Sequence, residues 1–274
     1  MVSILGNTAD SSRTSLYPVL RGALPFGIAH RGGAWEAPEN TIAAFRNSIN
    51  LGFTFLETDV RATKDGIAVV FHDASLDRTT DSEGLIREMT WDEVSRAKIH
   101  GRLPVMQLDE LFEEFPAVRF NIDVKEMNAL VPFVEVVRKH AAWSRVCVGS
   151  FSHDRLVRVR RLGGPRLASS LSPREVLALR LRSSGIPLIW RPPNAACVQI
   201  PVELGGIRFA EPKLISLAHS LGWQVHVWTV DDSVTMDELL DLEVDAIMTD
   251  RPSLLRLVFA GHGFWPSPLD NLTV

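Results

Sequence analysis

The groups in this chain most capable of chemistry crowd into residues 26–73: His30, Arg31, Glu39, Glu57, Asp59 and His72. A later segment, Phe120-Asn121-Ile122-Asp123-Val124-Lys125, adds a third acid on a strand and an ammonium. Alternation along a strand puts Glu57 and Asp59 on one face. It puts Asp123 and Lys125 on one face of another strand, with Ile122 and Val124 turned the opposite way. If both faces look into one interior, three carboxylates share it with one lysine. A carboxylate buried alone is costly unless it is paired or metal-bound, so the excess of acid points to a divalent cation. All-oxygen ligands favour Mg²⁺ or Ca²⁺ over zinc, making Glu57, Asp59 and Asp123 the candidate metal ligands.

His30 and His72 each end an apolar run and can divide acid and base duties around a scissile bond. Arg31 and Lys125 supply fixed positive charge suited to a phosphate diester. No Ser or Cys sits in a nucleophile elbow, so the set reads as phosphoester cleavage. A solvated antiparallel strand would also show Glu-x-Asp. The matching Asp-x-Lys strand and the two histidines weigh against that reading. Trp228 ends an apolar run and either lines a pocket or plugs the core. His100, His140, His153, His219, His226 and His262 lack such context and are assigned to surface or packing.

The elements that must position these groups alternate. Phe26–His30 reads as a buried strand stopped by Gly32-Gly33. A helix starts near Pro38-Glu39-Asn40-Thr41, capped by Asn40 or Thr41. Strands follow at 53–60 and 67–71, joined by Lys64-Asp65-Gly66, too short a link for a helical crossover. Residues 74–106 break the rhythm as a polar excursion, with a short capped helix at Thr90–Ala97. Alternation then resumes, with strands at 119–125, 146–151, 167–171, 187–190, 195–201, 224–230 and 245–249 and helices between them. Repeated strand–helix units imply a parallel sheet with right-handed crossovers. No GxGxxG or GxxxxGK[ST] loop follows the first strand, and polar groups gather at the C-terminal ends of several strands. Both features favour a closed (β/α)8 barrel, a TIM barrel with a small insertion after the early strands, over an open nucleotide-binding sheet.

The bulk numbers leave room for one such unit: 274 residues, 46% hydrophobic, with a formal charge of −4. That charge, without a long basic stripe, argues against bulk nucleic acid or anionic membrane as partner. The run Arg155–Arg161 reads as a solvated helix face. Cys147 and Cys197 lie in apolar runs without a CxxC partner and read as reduced core residues. No apolar run approaches transmembrane length and no signal-peptide pattern opens the chain, so the expectation is a cytoplasmic protein without stable membrane insertion. The expected organisation is a loosely docked leader over 1–25, a barrel over 26–260 with its insertion at about 74–106, and an irregular tail over 261–274.

These motifs carry a resemblance. His30-Arg31-Gly32, Pro38-Glu39-Asn40-Thr41, Glu57-Thr58-Asp59-Val60, Thr63-Lys64-Asp65-Gly66, His72-Asp73 and Leu76-Asp77-Arg78-Thr79-Thr80 resemble the glycerophosphodiester phosphodiesterase family. Asn121–Lys125, Ser150-Phe151, Trp228-Thr229-Val230 and Thr249-Asp250-Arg251-Pro252 continue it, over about residues 26–258. The resemblance implies a (β/α)8 barrel that hydrolyses small glycerophosphodiesters to sn-glycerol 3-phosphate and an alcohol. It implies His30 and His72 as the acid/base pair, and Glu57, Asp59 and Asp123 as ligands of Ca²⁺ or Mg²⁺. It further implies Arg31 and Lys125 at the phosphate, with Glu39 and Asn40 as their supporting shell; these four and Trp228 are the candidate substrate-binding residues. Asp123 stands where the family often has glutamate. Two other readings keep the motifs: lysophospholipase D-type cleavage of lysophospholipids, and a non-catalytic binder of phosphorylated ligands. The former needs an apolar channel near the insertion, whose residues are polar.

Overall fold

Short runs rich in β-branched and aromatic residues build the wall of a barrel. In the computed structural model, which describes residues 15–188 and 191–265, these are Phe26–Ala29 (β1), Phe55–Ala62 (β2), Arg119–Val124 (β3) and Val146–Gly149 (β4). Ala168–Ser170 (β5), Ala195–Pro201 (β6), Gln224–Trp228 (β7) and Ala246–Thr249 (β8) complete the wall. Each strand runs parallel to the next, and β1 pairs with both β8 and β2, so the sheet closes on itself. Helices return the chain between strands: Ile42–Asn50 (α1), Leu108–Glu114 (α2), Leu130–Lys139 (α3), His153–Gly163 (α4), Pro173–Ser183 (α5), Pro212–Ser220 (α6), Ser233–Asp241 (α7) and Pro252–Gly261 (α8). This is the expected (β/α)8 barrel. No helix among the described residues is long and apolar enough to cross a membrane.

Strand alternation sorts the side chains into two layers. Leu56, Val60, Ile122 and Val124 face outward and pack with Phe45, Phe112 and Phe133 in the core between sheet and helices. Facing inward, Phe55, Ile28, Cys147, Ala168, Cys197 and Ala246 fill the lower barrel. Both cysteines are buried and free, with their Sγ atoms 3.8 Å apart. The β2–β3 register sets Glu57 opposite Asn121 and Asp59 opposite Asp123, which lifts the polar pairs above the apolar floor.

Three local readings change. The strand expected from Phe53 begins at Phe55, and Phe53 packs in the helix layer. The run 187–190 is not a strand at Pro187 and Leu188, and residues 189–190 lie outside the described residues. Residues 1–14 of the leader lie outside the described residues, and the part from Ser15 onward does more than dock loosely. Val19 and Leu20 are fully buried in the lower barrel, where the Gln224 amide donates to the Leu20 carbonyl at 2.9 Å. The Arg119 guanidinium donates to the carbonyls of Val19 and Arg21 and lies over the rings of Phe26 and Phe55. A barrel of short strands leaves its N-terminal mouth open, and these residues stopper it.

After β2 the chain turns at 64–66 and returns through Ala68–Val70, antiparallel to β2 with Val60 opposite Val70. His72 therefore does not end a barrel strand. The hairpin brings it back to the level of Asp59, whose carbonyl accepts from the Phe71 amide at 3.0 Å. The excursion that follows carries its own small core of Leu76, Ile86, Val94, Ala97, Ile99 and Val105 against Val69 and Phe71.

His226, on β7, lies wholly inside the barrel, edge-on to Phe26 and within 3.2 Å of the Gln224 side-chain oxygen. Burial disfavours its charged form and pushes its pKa down to about 4. A base whose folded pKa is depressed binds its proton more readily when unfolded. Stability is thus full above the unfolded value and falls as pH drops from about 6.5 towards 4, by roughly 3 kcal/mol in all. Denaturant titrations across that window should show the loss for the wild type and a flatter profile for His226→Gln. Equal slopes for the two proteins would refute the assignment.

Candidate active site

The β1–α1 segment turns sharply to place the first catalytic candidates. Arg31, Gly32 and Gly33 have φ of 49°, 81° and 94°. A Cβ on Gly32 would stand 2.8 Å from the Ala44 Cβ, and one on Gly33 would stand 2.6 Å from Pro252, so only glycine fits either place. The turn directs the Arg31 amide to the Glu57 carboxylate at 3.0 Å. Of the two candidate caps for α1, Thr41 is the one that accepts from the Ala44 amide. Asn40 instead adopts φ 58°, donates to Asp59 at 3.1 Å and accepts from the Thr58 hydroxyl at 2.7 Å.

His30, Arg31, Glu57, Asp59, His72, Asn121, Asp123, Lys125 and Trp228 line one cavity of about 330 Å³ at the C-terminal mouth of the barrel. Glu39 and Asn40, read as substrate contacts, do not line it. Glu39 holds the Arg31 guanidinium at 3.2 Å and Asn40 holds Asp59, so both act through other residues. Lys125 Nζ stands between two carboxylates, 2.7 Å from Asp59 Oδ1 and 2.6 Å from Asp123 Oδ2.

Each histidine is fixed by an aspartate for which the sequence suggested no role. His30 Nδ1 lies 2.7 Å from Asp250 Oδ1, and His72 Nδ1 lies 2.6 Å from Asp73 Oδ1. That leaves Nε2 as the free nitrogen of His72, while His30 Nε2 lies 3.8 Å from Glu57 Oε2. Asp250 directly follows β8, and Asp73 stands next to its own histidine three residues past the hairpin strand; both lie within quoted motifs. Pairing across 220 positions of sequence, as between His30 and Asp250, leaves no local signal.

The electrostatics separate the groups. Burial disfavours the charged His30, but Glu57 and then Asp250 outweigh it and raise its pKa above the ordinary imidazole value. For His72 burial outweighs the attraction of Asp59 and Asp73, and the pKa falls. Burial, with Asp59 next to it, pushes Glu57 up to about 7. Asp123 is raised by burial as well. Asp59 is also opposed by burial, yet Lys125 and then Arg31 hold it below the usual carboxylate range. Asp123 Oδ1 is buried with no hydrogen-bond partner. An orphaned oxygen, a carboxyl forced towards neutrality and an all-oxygen donor set fit a hard divalent cation. One set of three acid or imidazole groups among the described residues has ligand atoms within 4.8 Å of one another: Asp109, Glu113 and His140, outside the barrel. There Asp109 already pairs with Lys139 and His140, as an ordinary surface cluster does.

Residues 30–254 match the family model described as "Glycerophosphoryl diester phosphodiesterase family". The chain belongs to this family. It is therefore a phosphodiesterase. It is 39% identical over 250 residues to a "Probable glycerophosphodiester phosphodiesterase 2" of Mycobacterium tuberculosis, covering 90% of this chain and 95% of that one. A "Glycerophosphodiester phosphodiesterase" of Caldanaerobacter subterraneus is 31% identical over 250 residues, covering 85% and 98%. A phosphodiesterase of Oleispira antarctica, solved in complex with the product sn-glycerol-3-phosphate, shares the fold with a TM-score of 0.72 at 24% identity, over 86% of this chain and 97% of that one.

The tether on His30 should matter to this phosphodiesterase independently of substrate choice. Asp250→Asn should cut kcat on bis(p-nitrophenyl) phosphate roughly 10²-fold, because the imidazole loses the carboxylate that orients it and supports its charge. A variant that keeps full kcat would show that Asp250 plays no part in turnover.

Proposed function

We propose that this phosphodiesterase hydrolyses small glycerophosphodiesters to sn-glycerol 3-phosphate and an alcohol, with His30 and His72 as its general acid/base pair. The observation that carries the reading is the pair of aspartate-tethered imidazoles on one cavity that also holds Arg31 and Lys125. Their pKa values are driven in opposite directions, which suits one imidazole to giving a proton while the other takes one. Arg31 and Lys125 would hold the phosphodiester anion, each kept in place by acids beneath it. Glu57, Asp59 and Asp123 would hold the Mg²⁺ or Ca²⁺ ion. Such an ion offsets phosphoryl charge when bound. Trp228, edge-on to Phe151 at 5.4 Å, would bound the substrate on the far side.

With Mg²⁺ or Ca²⁺ present, the protein should release glycerol 3-phosphate from glycerophosphocholine in a coupled assay, and EDTA should abolish that release. His30→Ala and His72→Ala should each lower kcat by about 10²- to 10⁴-fold. Glu57→Gln and Asp123→Asn should weaken metal binding to a similar degree by calorimetry. Unchanged affinity in the Asp123 variant would remove that residue from the ligand set.

A second reading keeps the chemistry and lengthens the substrate. The cavity has an apolar wall of Phe151, Leu171, Val176, Leu204, Phe209 and Trp228. Phe151 is 61% and Leu204 65% exposed. This wall comes from the segments after β4, β5 and β6 and from the end of β7, not from the insertion, so the polarity of residues 74–106 does not argue against a lysophospholipid. A kcat/KM for lysophosphatidylcholine above that for glycerophosphocholine would favour this reading, and the reverse order would exclude it.

A further inference from the structure

Arg78 lies in the excursion after the hairpin and does not line the cavity, yet it touches both halves of the site. Its Nε meets Asp73 Oδ2 at 2.5 Å and its Nη2 meets Asp73 Oδ1 at 3.1 Å. The same guanidinium donates to both oxygens of Glu39, from Nη1 at 3.1 Å and from Nη2 at 2.7 Å. Beyond these carboxylates, Asp73 fixes His72 Nδ1 and Glu39 holds the Arg31 guanidinium. A planar fork with five N–H donors can grip two carboxylates at once, and an ammonium cannot reproduce that geometry.

We propose that Arg78 is a positioning residue: it locks the proton-transferring His72 and the phosphate-holding Arg31 into one rigid unit. The chain of contacts runs His72–Asp73–Arg78–Glu39–Arg31, from the hairpin through the insertion to the β1–α1 turn. Among the described residues, β1 and the hairpin strand each pair with β2 and not with one another, so no ladder ties the His72 and Arg31 side chains directly. The insertion's own core, with Leu76 fully buried two residues before Arg78, provides the firm base the fork needs. The arrangement gives the insertion a catalytic purpose, because misplacing one reacting group by about 1 Å can cost on the order of 10²-fold in rate. It predicts little effect on folding: the Arg78 side chain is 50% exposed, and ion pairs at such sites add little stability.

The inference rests on the acid/base reading above, and the experiment separates the two. Wild type, Arg78→Met, Arg78→Lys and Arg78→Gly are compared on glycerophosphocholine for kcat, KM and Tm, the glycine variant with and without millimolar guanidinium chloride. Arg78→Met should lose about 10- to 10²-fold in kcat, a larger change than in KM, at an unchanged Tm. Arg78→Lys should recover only part of the loss, and added guanidinium should raise kcat of the glycine variant several-fold. The proposal is overturned if Arg78→Met keeps wild-type kcat. It is equally overturned if the loss of kcat tracks a fall in Tm and guanidinium restores nothing. Absence of wild-type turnover on both glycerophosphocholine and lysophosphatidylcholine would instead sink the acid/base reading itself.

Discussion

The burial of Asp59 is the constraint on which the upper barrel depends. Its carboxylate sits at the top of the barrel interior, opposite Asp123 across the β2–β3 ladder, and almost no solvent reaches it. A buried anion demands compensation, and the structure supplies it from three directions. Lys125 comes from the end of β3, Asn40 from before α1, and the Arg31 guanidinium approaches within 3.3 Å. Each of these is in turn held by something else. The polar network therefore propagates outward until it reaches the surface at Arg78 and Asp73.

This dependence explains why so much of the local chain geometry is unusual near the site. Arg31, Gly32 and Gly33 all take left-handed conformations, because the turn must carry the Arg31 side chain over Asp59 and its amide to Glu57. Asn40 takes one as well and forgoes the cap of α1 to Thr41. Backbone strain of this kind persists where surrounding contacts over-determine it. Below the polar layer the barrel is built on opposite terms. Phe26, Phe55 and their apolar neighbours fill the interior, and the neutral His226 is tolerated because its ring nitrogens meet amide side chains instead of water.

The pair of aspartate-tethered histidines also shows how one fold makes two different imidazoles. Glu57 lies close to His30, deep in the cavity, and its charge favours the proton there. His72 sits on a hairpin beside the cationic groups, and burial prevails over its acidic neighbours. Neither difference is visible in the two short runs Ala29-His30-Arg31 and Phe71-His72-Asp73.

What the sequence determined by itself is whatever depends on period and local chemistry. Strand alternation assigned Glu57, Asp59 and Asp123 to one face and Leu56, Ile122 and Val124 to the helix layer; the strand–helix rhythm implied a parallel sheet, and the missing nucleotide-binding loop with polar groups at several strand ends favoured its closure into a barrel. The family motifs group His30, Arg31, His72, Lys125 and Trp228, and all five line the cavity. Tertiary structure decided everything set by distance through space. It seated Lys125 between two carboxylates, drew Asp250 to His30 from the far end of the chain, and withdrew Glu39 and Asn40 from the cavity into supporting contacts. It stoppered the barrel with Val19 and Leu20, and turned the polar insertion into the mount for Arg78. Periodicity reports which way a side chain points from its own strand; only closure of the sheet decides which other side chains it meets.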